Sequence, residues 1–212
     1  LRLKRRLGMT AGEFLEKHAV IEPANNGWPM PKLQMNRDQE GACPFVTPQG
    51  CSVYPDRPGA CRTYPLGRAA KGGAGAGASE EAFFLVKEDH CHGFAQGPRW
   101  TPKTWTADQG LEEYNAMNDA FLPLITRPAQ MGEAAQAMRK AQMFFMACYN
   151  LDAFKQFVEK SSLGDRFELD QERMAKVAEE EEELLKFAFD WLAFSLYGDP
   201  TLKVRPPSRF NS

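Results

Sequence analysis

The chain has 212 residues, is 43% hydrophobic and carries a formal net charge of −2. That is enough apolar material for one domain with a real core, or for a small site-bearing lobe joined to a helical one. Near-neutrality excludes the basic excess of a nucleic-acid binder, and no stretch approaches the ~18 uninterrupted apolar residues of a membrane span.

Leu1 to Gly8 reads as the end of a helix whose beginning is missing, so the sequence is expected to be N-terminally incomplete. The basic group Arg2, Lys4, Arg5 and Arg6, and the acidic run Glu179 to Glu183, both read as solvated helix faces. Thr10 with Glu13 forms a capping box and predicts a short helix to about Ala19. Pro23, Asn25, Asn26, Gly27, Pro29 and Pro31 then predict irregular chain. Short strands are expected over Lys32 to Asn36, Phe45 to Thr47 and Ser52 to Tyr54, followed by turns from Pro55 to Leu66. Lys71 to Ser79 is low-complexity and reads as a flexible loop. Gly73, Gly75 and Ala78 satisfy a loose dinucleotide fingerprint. That reading fails because no strand is expected before it, and the strand-like run Phe83 to Lys87 stands where a helix is required.

After Trp100 the pattern turns helical. Thr106 with Gln109 reads as a second capping box opening a helix from about Ala107 to Ile125, with Leu111, Tyr114, Phe121, Leu122 and Ile125 on one side. Further helices are expected over Gly132 to Tyr149, Leu151 to Lys160 and Asp170 to Tyr197, the last ended by Gly198 and Pro200. This last helix is apolar nearly all round, so it inserts into the helical lobe or docks on another subunit. Self-association or a protein partner through it is the expected interaction. The fold class is therefore mainly α, with an irregular, Cys-rich N-terminal lobe (residues 1–99, with a few short strands) and a helical C-terminal lobe (residues 100–212).

The chemistry rests on cysteine. Cys43, Cys51, Cys61 and Cys91 stand among Pro, Gly and Arg, with seven, nine and twenty-nine residues between them. Those gaps exceed the knuckles of a zinc ribbon, so the site would be assembled from several loops. Four thiolates hold either tetrahedral zinc or an iron–sulfur cluster. Pro44 and Pro65, which restrict the loops, and Arg57 and Arg62, whose charge offsets a thiolate-bound cluster, favour a 4Fe–4S cluster, with zinc as the alternative. An odd total of five cysteines argues for a reduced, cytoplasmic protein over a secreted disulfide framework. His90 and His92 read as supporting or surface groups, and His18 as an ordinary core-edge or surface histidine. Tyr54, Tyr64, Trp100 and Trp105 read as plain core, or as a shield around the site. Cys148 falls on the apolar stripe of Ala134, Met138, Ala141, Phe144, Phe145 and Leu151, so it is a buried thiol outside the site.

The runs Cys43-Pro-Phe-Val-Thr, Gly50-Cys-Ser-Val-Tyr-Pro-Asp-Arg-Pro and Cys61-Arg-Thr-Tyr-Pro-Leu-Gly resemble the cysteine-cluster (YkgJ-like) family of zinc- or iron-chelating proteins. Leu7 to Leu15 is similar to that family as well, and flagellin lysine N-methylase is a relative. The resemblance covers about residues 1 to 95. It implies that Cys43, Cys51, Cys61 and Cys91 take the family's downstream ligand positions. The family's upstream Cys-x-x-Cys-x-x-Cys-Cys group would lie just before Leu1 and is absent from these residues. With it, eight thiols would support two metal centres or share one. Three functions follow as expectations. The first is an iron–sulfur protein acting in redox or as an accessory component of a complex. The second, by family analogy alone, is a protein (lysine) methyltransferase-like enzyme. The third is an interaction module with purely structural zinc. No general acid, base or nucleophile pair marks the chain as an enzyme.

Overall fold

The computed structural model describes residues 1–72, 78–89, 91–95, 97–128 and 132–206, apart from the side chains at 39, 78 and 79. Helix α1 (Arg2–Leu7) ends on Gly8 at φ 64°, and α2 (Ala11–His18) begins at the predicted capping box. The Thr10 hydroxyl accepts from the Glu13 amide at 3.2 Å, and Glu13 accepts from the Thr10 amide at 2.8 Å. This satisfies two of the amides that a helix start leaves without partners.

The proline-rich stretch that follows is regular, contrary to expectation. Strands β1 (Ala19–Pro23) and β2 (Pro29–Leu33) form an antiparallel hairpin pairing Ile21 with Pro31 and Pro23 with Pro29. The amides of Gln34 and Ala24 donate to His18 and Trp28 carbonyls at 2.9 and 2.8 Å, which fixes the alternation of the ladder. Pro23, Pro29 and Pro31 therefore all fall at non-hydrogen-bonded pairs, where a missing N–H costs nothing.

Two further antiparallel strand pairs follow among the described residues. Strand β3 (Val46–Thr47) pairs with β4 (Gly50–Cys51), while Ser52 to Tyr54, expected as a strand, is a turn leading into a 3-10 segment. Helix α3 (Gly59–Thr63) precedes β5 (Leu66–Gly72), which pairs antiparallel with β6 (Ala78–Leu85). The glycine stretch is thus preceded by a strand after all. The strand that follows it still excludes a dinucleotide turn, and residues 73–77 lie outside the described residues. Phe84 lies across Gly67 with its ring where a Cβ would stand, so any side chain there would have to push this exposed ring aside.

The helical half departs from expectation at its two long helices. The second capping box is built by Thr101 and Thr104, not by Thr106 and Gln109, and it starts α4 (Pro102–Asp108). Gly110 at φ 60° turns the chain into α5 (Glu112–Ile125). Helices α6 (Ala134–Cys148) and α7 (Leu151–Lys160) stand where predicted, followed by a short α8 (Leu163–Arg166). Met138 of the predicted stripe is exposed. The expected terminal helix is two: α9 (Gln171–Glu179) and α10 (Glu181–Tyr197), broken at Glu180 and ended by Gly198 at φ 72°. The break separates like charges and gathers Glu181, Glu182 and Glu183 in the first turn of α10, where the helix dipole favours them.

Helix α10 inserts into the chain's own core. Leu184, Phe187, Ala188, Trp191 and Leu192 are buried against α5, α6, α7 and α9. Trp28, from the β1–β2 turn, joins them at 1% exposure and stacks on Phe144 at 4.4 Å. The terminal charges also meet each other. Lys4 is buried and pairs with Glu181 and Asp152, and Arg5 forks onto Glu182 at 2.6 and 2.9 Å while reaching Glu181 at 2.7 Å. The basic start and the acidic run are thus partly an ion-pair seam rather than two solvated faces.

Candidate metal centre

Three short elements carry the cysteines, and each is shaped by its neighbours in sequence. Cys43 precedes a turn closed by the Val46 amide donating to its carbonyl at 3.1 Å. Cys51 lies on β4 opposite Val46, and the loop after it is pinned by the amide and hydroxyl of Ser52 on the Phe45 carbonyl at 2.9 and 3.1 Å. Phe45 and Val53 are buried beneath this hairpin. The His18 ring packs between Phe14 and Phe45, each centroid 5.3 Å away, so this histidine is a core-edge group. Cys61 is on α3.

All five thiols are free. Cys61 reaches the surface, yet burial of its sulfur pushes its pKa up, and the nearby thiols of Cys43 and Cys51 push it further, against a pull downward from Arg57. Cys43 and Cys51 thus act electrostatically on Cys61, although Cys43 stands eighteen positions upstream of it. Cys91 follows a turn closed by its own amide donating to the Glu88 carbonyl at 3.0 Å. Tyr64, which ends α3, has its hydroxyl shut from water without a hydrogen bond of normal geometry. The Cys91 thiol and the Glu88 carboxylate face that hydroxyl closely enough to raise its pKa. Among the described residues, no three His, Cys, Asp or Glu side chains gather in the geometry of a single bound ion. His92 is exposed and His90 lies outside the described residues. Cys148 is buried in the helical core, and that burial drives its pKa well up, as its place on the apolar stripe implied.

The two arginines have a structural task besides the expected offset of negative charge, which Arg57 exerts on Cys61. Arg57 is buried and stacks on Tyr54 at 3.9 Å. Its guanidinium donates to the Tyr54 carbonyl at 2.8 Å and to Gln109 Oε1 at 2.5 Å. Arg62 donates to the Arg57 carbonyl at 3.3 Å, the Gln109 carbonyl at 2.8 Å, the Tyr114 hydroxyl at 3.1 Å and the Pro55 carbonyl. Planar guanidinium with five donors is suited to tying several carbonyls together. Of the four aromatic side chains, Tyr54 and Trp100 are largely exposed, and Trp105 donates its indole N–H to the Thr63 carbonyl at 2.9 Å. Sequence reasoning gives Gln109 and Tyr114 only cap and helix-face roles and misses their hold on these arginines. The only signal for it was a pair of arginines in a short loop with more donors than local acceptors.

Residues 7–92 match the family described as “CxxCxxCC: Putative zinc- or iron-chelating domain”. The Cys-x-x-Cys-x-x-Cys-Cys run that gives the family its name does not occur among the 212 residues, while Cys43, Cys51, Cys61 and Cys91 all lie within the matched stretch. No curated protein and no solved structure matches the chain. Over residues 7–92 the chain is thus similar to the cysteine-cluster family of zinc- or iron-chelating domains.

Proposed function

We propose that this chain is a cysteine-ligated metal-binding protein in which Cys43, Cys51, Cys61 and Cys91 supply thiolate ligands to an iron–sulfur cluster of the 4Fe–4S type. The observation that carries the reading is the match of residues 7–92 to a zinc- or iron-chelating domain, a stretch in which all four of these cysteines lie and are free. Four soft donors suit iron–sulfur clusters and zinc alike. Pro44 and Pro65, which restrict the loops, and the cationic Arg57 and Arg62 alongside favour the cluster over zinc. When bound, such a group would supply one-electron chemistry, and the protein's part is to hold the thiolates and exclude alternative loop shapes. The role that follows is redox, or an accessory one within a complex containing a protein partner. A reducing cytoplasm is the compartment where five free thiols persist.

Metal analysis and optical spectroscopy of anaerobically purified protein test this. A brown protein with iron, acid-labile sulfide and visible charge-transfer absorption is expected. Replacing each of the four cysteines by serine should bleach it, whereas Cys148→Ala should not. A colourless protein with one equivalent of zinc would remove the redox role and leave structural zinc. A protein that takes up neither metal would refute the reading.

A further inference from the structure

The described part of the site is held from the helical half of the molecule through one corner, the turn between α4 and α5. Three side chains and one carbonyl from this corner reach the α3 segment. Trp105 donates to the Thr63 carbonyl at the end of α3 at 2.9 Å. The Gln109 side chain accepts from Arg57 at 2.5 Å, just before α3, while its carbonyl accepts from Arg62 within α3 at 2.8 Å. Tyr114 donates to the Arg57 carbonyl at 3.3 Å and accepts from Arg62 at 3.1 Å. The Tyr114 ring lies so close to Gly59, the first residue of α3, that a Cβ there would stand 3.3 Å from it. Gly110 makes the arrangement possible, because its φ of 60° lets the chain reverse while aiming the Gln109 carbonyl at Arg62. Cys61 sits midway along the five residues of α3, between the Gly59, Arg62 and Thr63 contacts. Its own side chain makes none of these bonds.

We infer that the α4–α5 corner is the positioning device for Cys61, with Gln109 and Tyr114 as its principal residues, so that metal affinity at the cysteine site depends on side chains some fifty positions downstream of it. The metal part of this statement rests on the function proposed above; the positioning of α3 does not. Groups that orient ligands from behind typically change metal affinity by about 10–100-fold when removed. The α4–α5 corner acts at one remove, through the arginines.

The test uses the whole chain with Zn²⁺, measured by competition against a chromophoric chelator, and Co²⁺, read by its d–d and thiolate charge-transfer bands. Gln109→Ala and Tyr114→Phe should weaken Zn²⁺ binding by about tenfold or more and shift the Co²⁺ bands. Gln109→Glu keeps the acceptor for Arg57 but loses the donor to Asp108, and should recover most of the affinity that Gln109→Ala loses. Arg127→Ala breaks the pair of Arg127 with Asp199, 2.7 Å apart in the other half, and controls for general destabilisation. It should leave affinity and spectrum unchanged. In metal-free protein, Gln109→Ala and Tyr114→Phe should also speed alkylation of Cys61 several-fold while leaving Cys148 unreactive. Wild-type protein that binds no metal, together with faster Cys61 labelling in the variants, would refute the metal site and keep the positioning. Variants that bind, absorb and label as wild type would overturn the inference.

Discussion

Trp28→Ala offers a direct measure of whether the first thirty-odd residues and the helical half unfold together. The indole is 1% exposed, stacks on Phe144 at 4.4 Å, and donates its N–H to the Tyr197 hydroxyl at 3.3 Å. That hydroxyl donates onward to the Leu124 carbonyl at 3.0 Å, so the side chain ties the β1–β2 turn to both α5 and α10. Deleting a buried Trp side chain costs about 3–5 kcal/mol, since both the transfer energy and the cavity count against the fold. Phe144 is itself fully buried and has no freedom to fill the space, which places the cost near the upper end, about 4 kcal/mol. At 2–4 °C per kcal/mol for a chain of this size, the melting temperature should fall by about 8–16 °C. Urea unfolding followed by helical circular dichroism should show the lower midpoint as a single transition with unchanged slope. Trp28→Phe, which keeps the stack and loses the N–H, should cost about 1–2 kcal/mol, as one lost buried hydrogen bond with some lost volume. A loss below about 1 kcal/mol for Trp28→Ala, or a hairpin whose amides exchange freely while the helices stay protected, would refute the reasoning.

Gly67→Ala should displace the Phe84 ring and weaken the β5–β6 hairpin. The expected cost is about 1–3 kcal/mol, as for other overpacking, read as a lower urea midpoint. Acid should destabilise the protein through the α1–α10 seam. Burial of Glu181 works against its charge but the hydrogen bonds from Lys4 and Arg5 outweigh it, and Arg5 lowers the pKa of Glu182 likewise. Their folded values lie below the ordinary 4.5, so their contribution is complete above that pH and is lost as pH falls through the depressed values. Glu181→Gln with Glu182→Gln should flatten stability against pH below about 4.5 and lower it at neutral pH; an unchanged acid limb would sink this assignment. Thiol counting should give five reactive groups in denaturant, whereas in the folded protein Cys61 should react and Cys148 stay silent. Added metal should protect Cys43, Cys51, Cys61 and Cys91, and mass-spectrometric mapping of the labelled peptides checks each site.

Local rules were legible wherever the deciding contacts lie within a few residues. Thr10 with Glu13, the span of α7 and the Gly198 stop follow from side chains reaching their own helix ends, and they stand as predicted. The buried Cys148 followed from helical spacing. The proline hairpin did not, because whether Pro31 breaks a strand depends on which partner it faces, and that is a property of the ladder register. Nor did the meeting of Lys4 and Arg5 with Glu181 and Glu182, since charge runs at opposite ends of a chain carry no sign of adjacency.

The amino-acid sequence alone determined that this is a mainly helical chain with a cluster of soft ligands in proline-punctuated loops, because ligand chemistry and helical period are written in residue type and spacing. Tertiary structure alone decided that Gln109 and Tyr114 hold the helix carrying Cys61. Hydrogen bonds between residues some fifty positions apart arise only once α5 has packed on the core and brought its first turn beside α3.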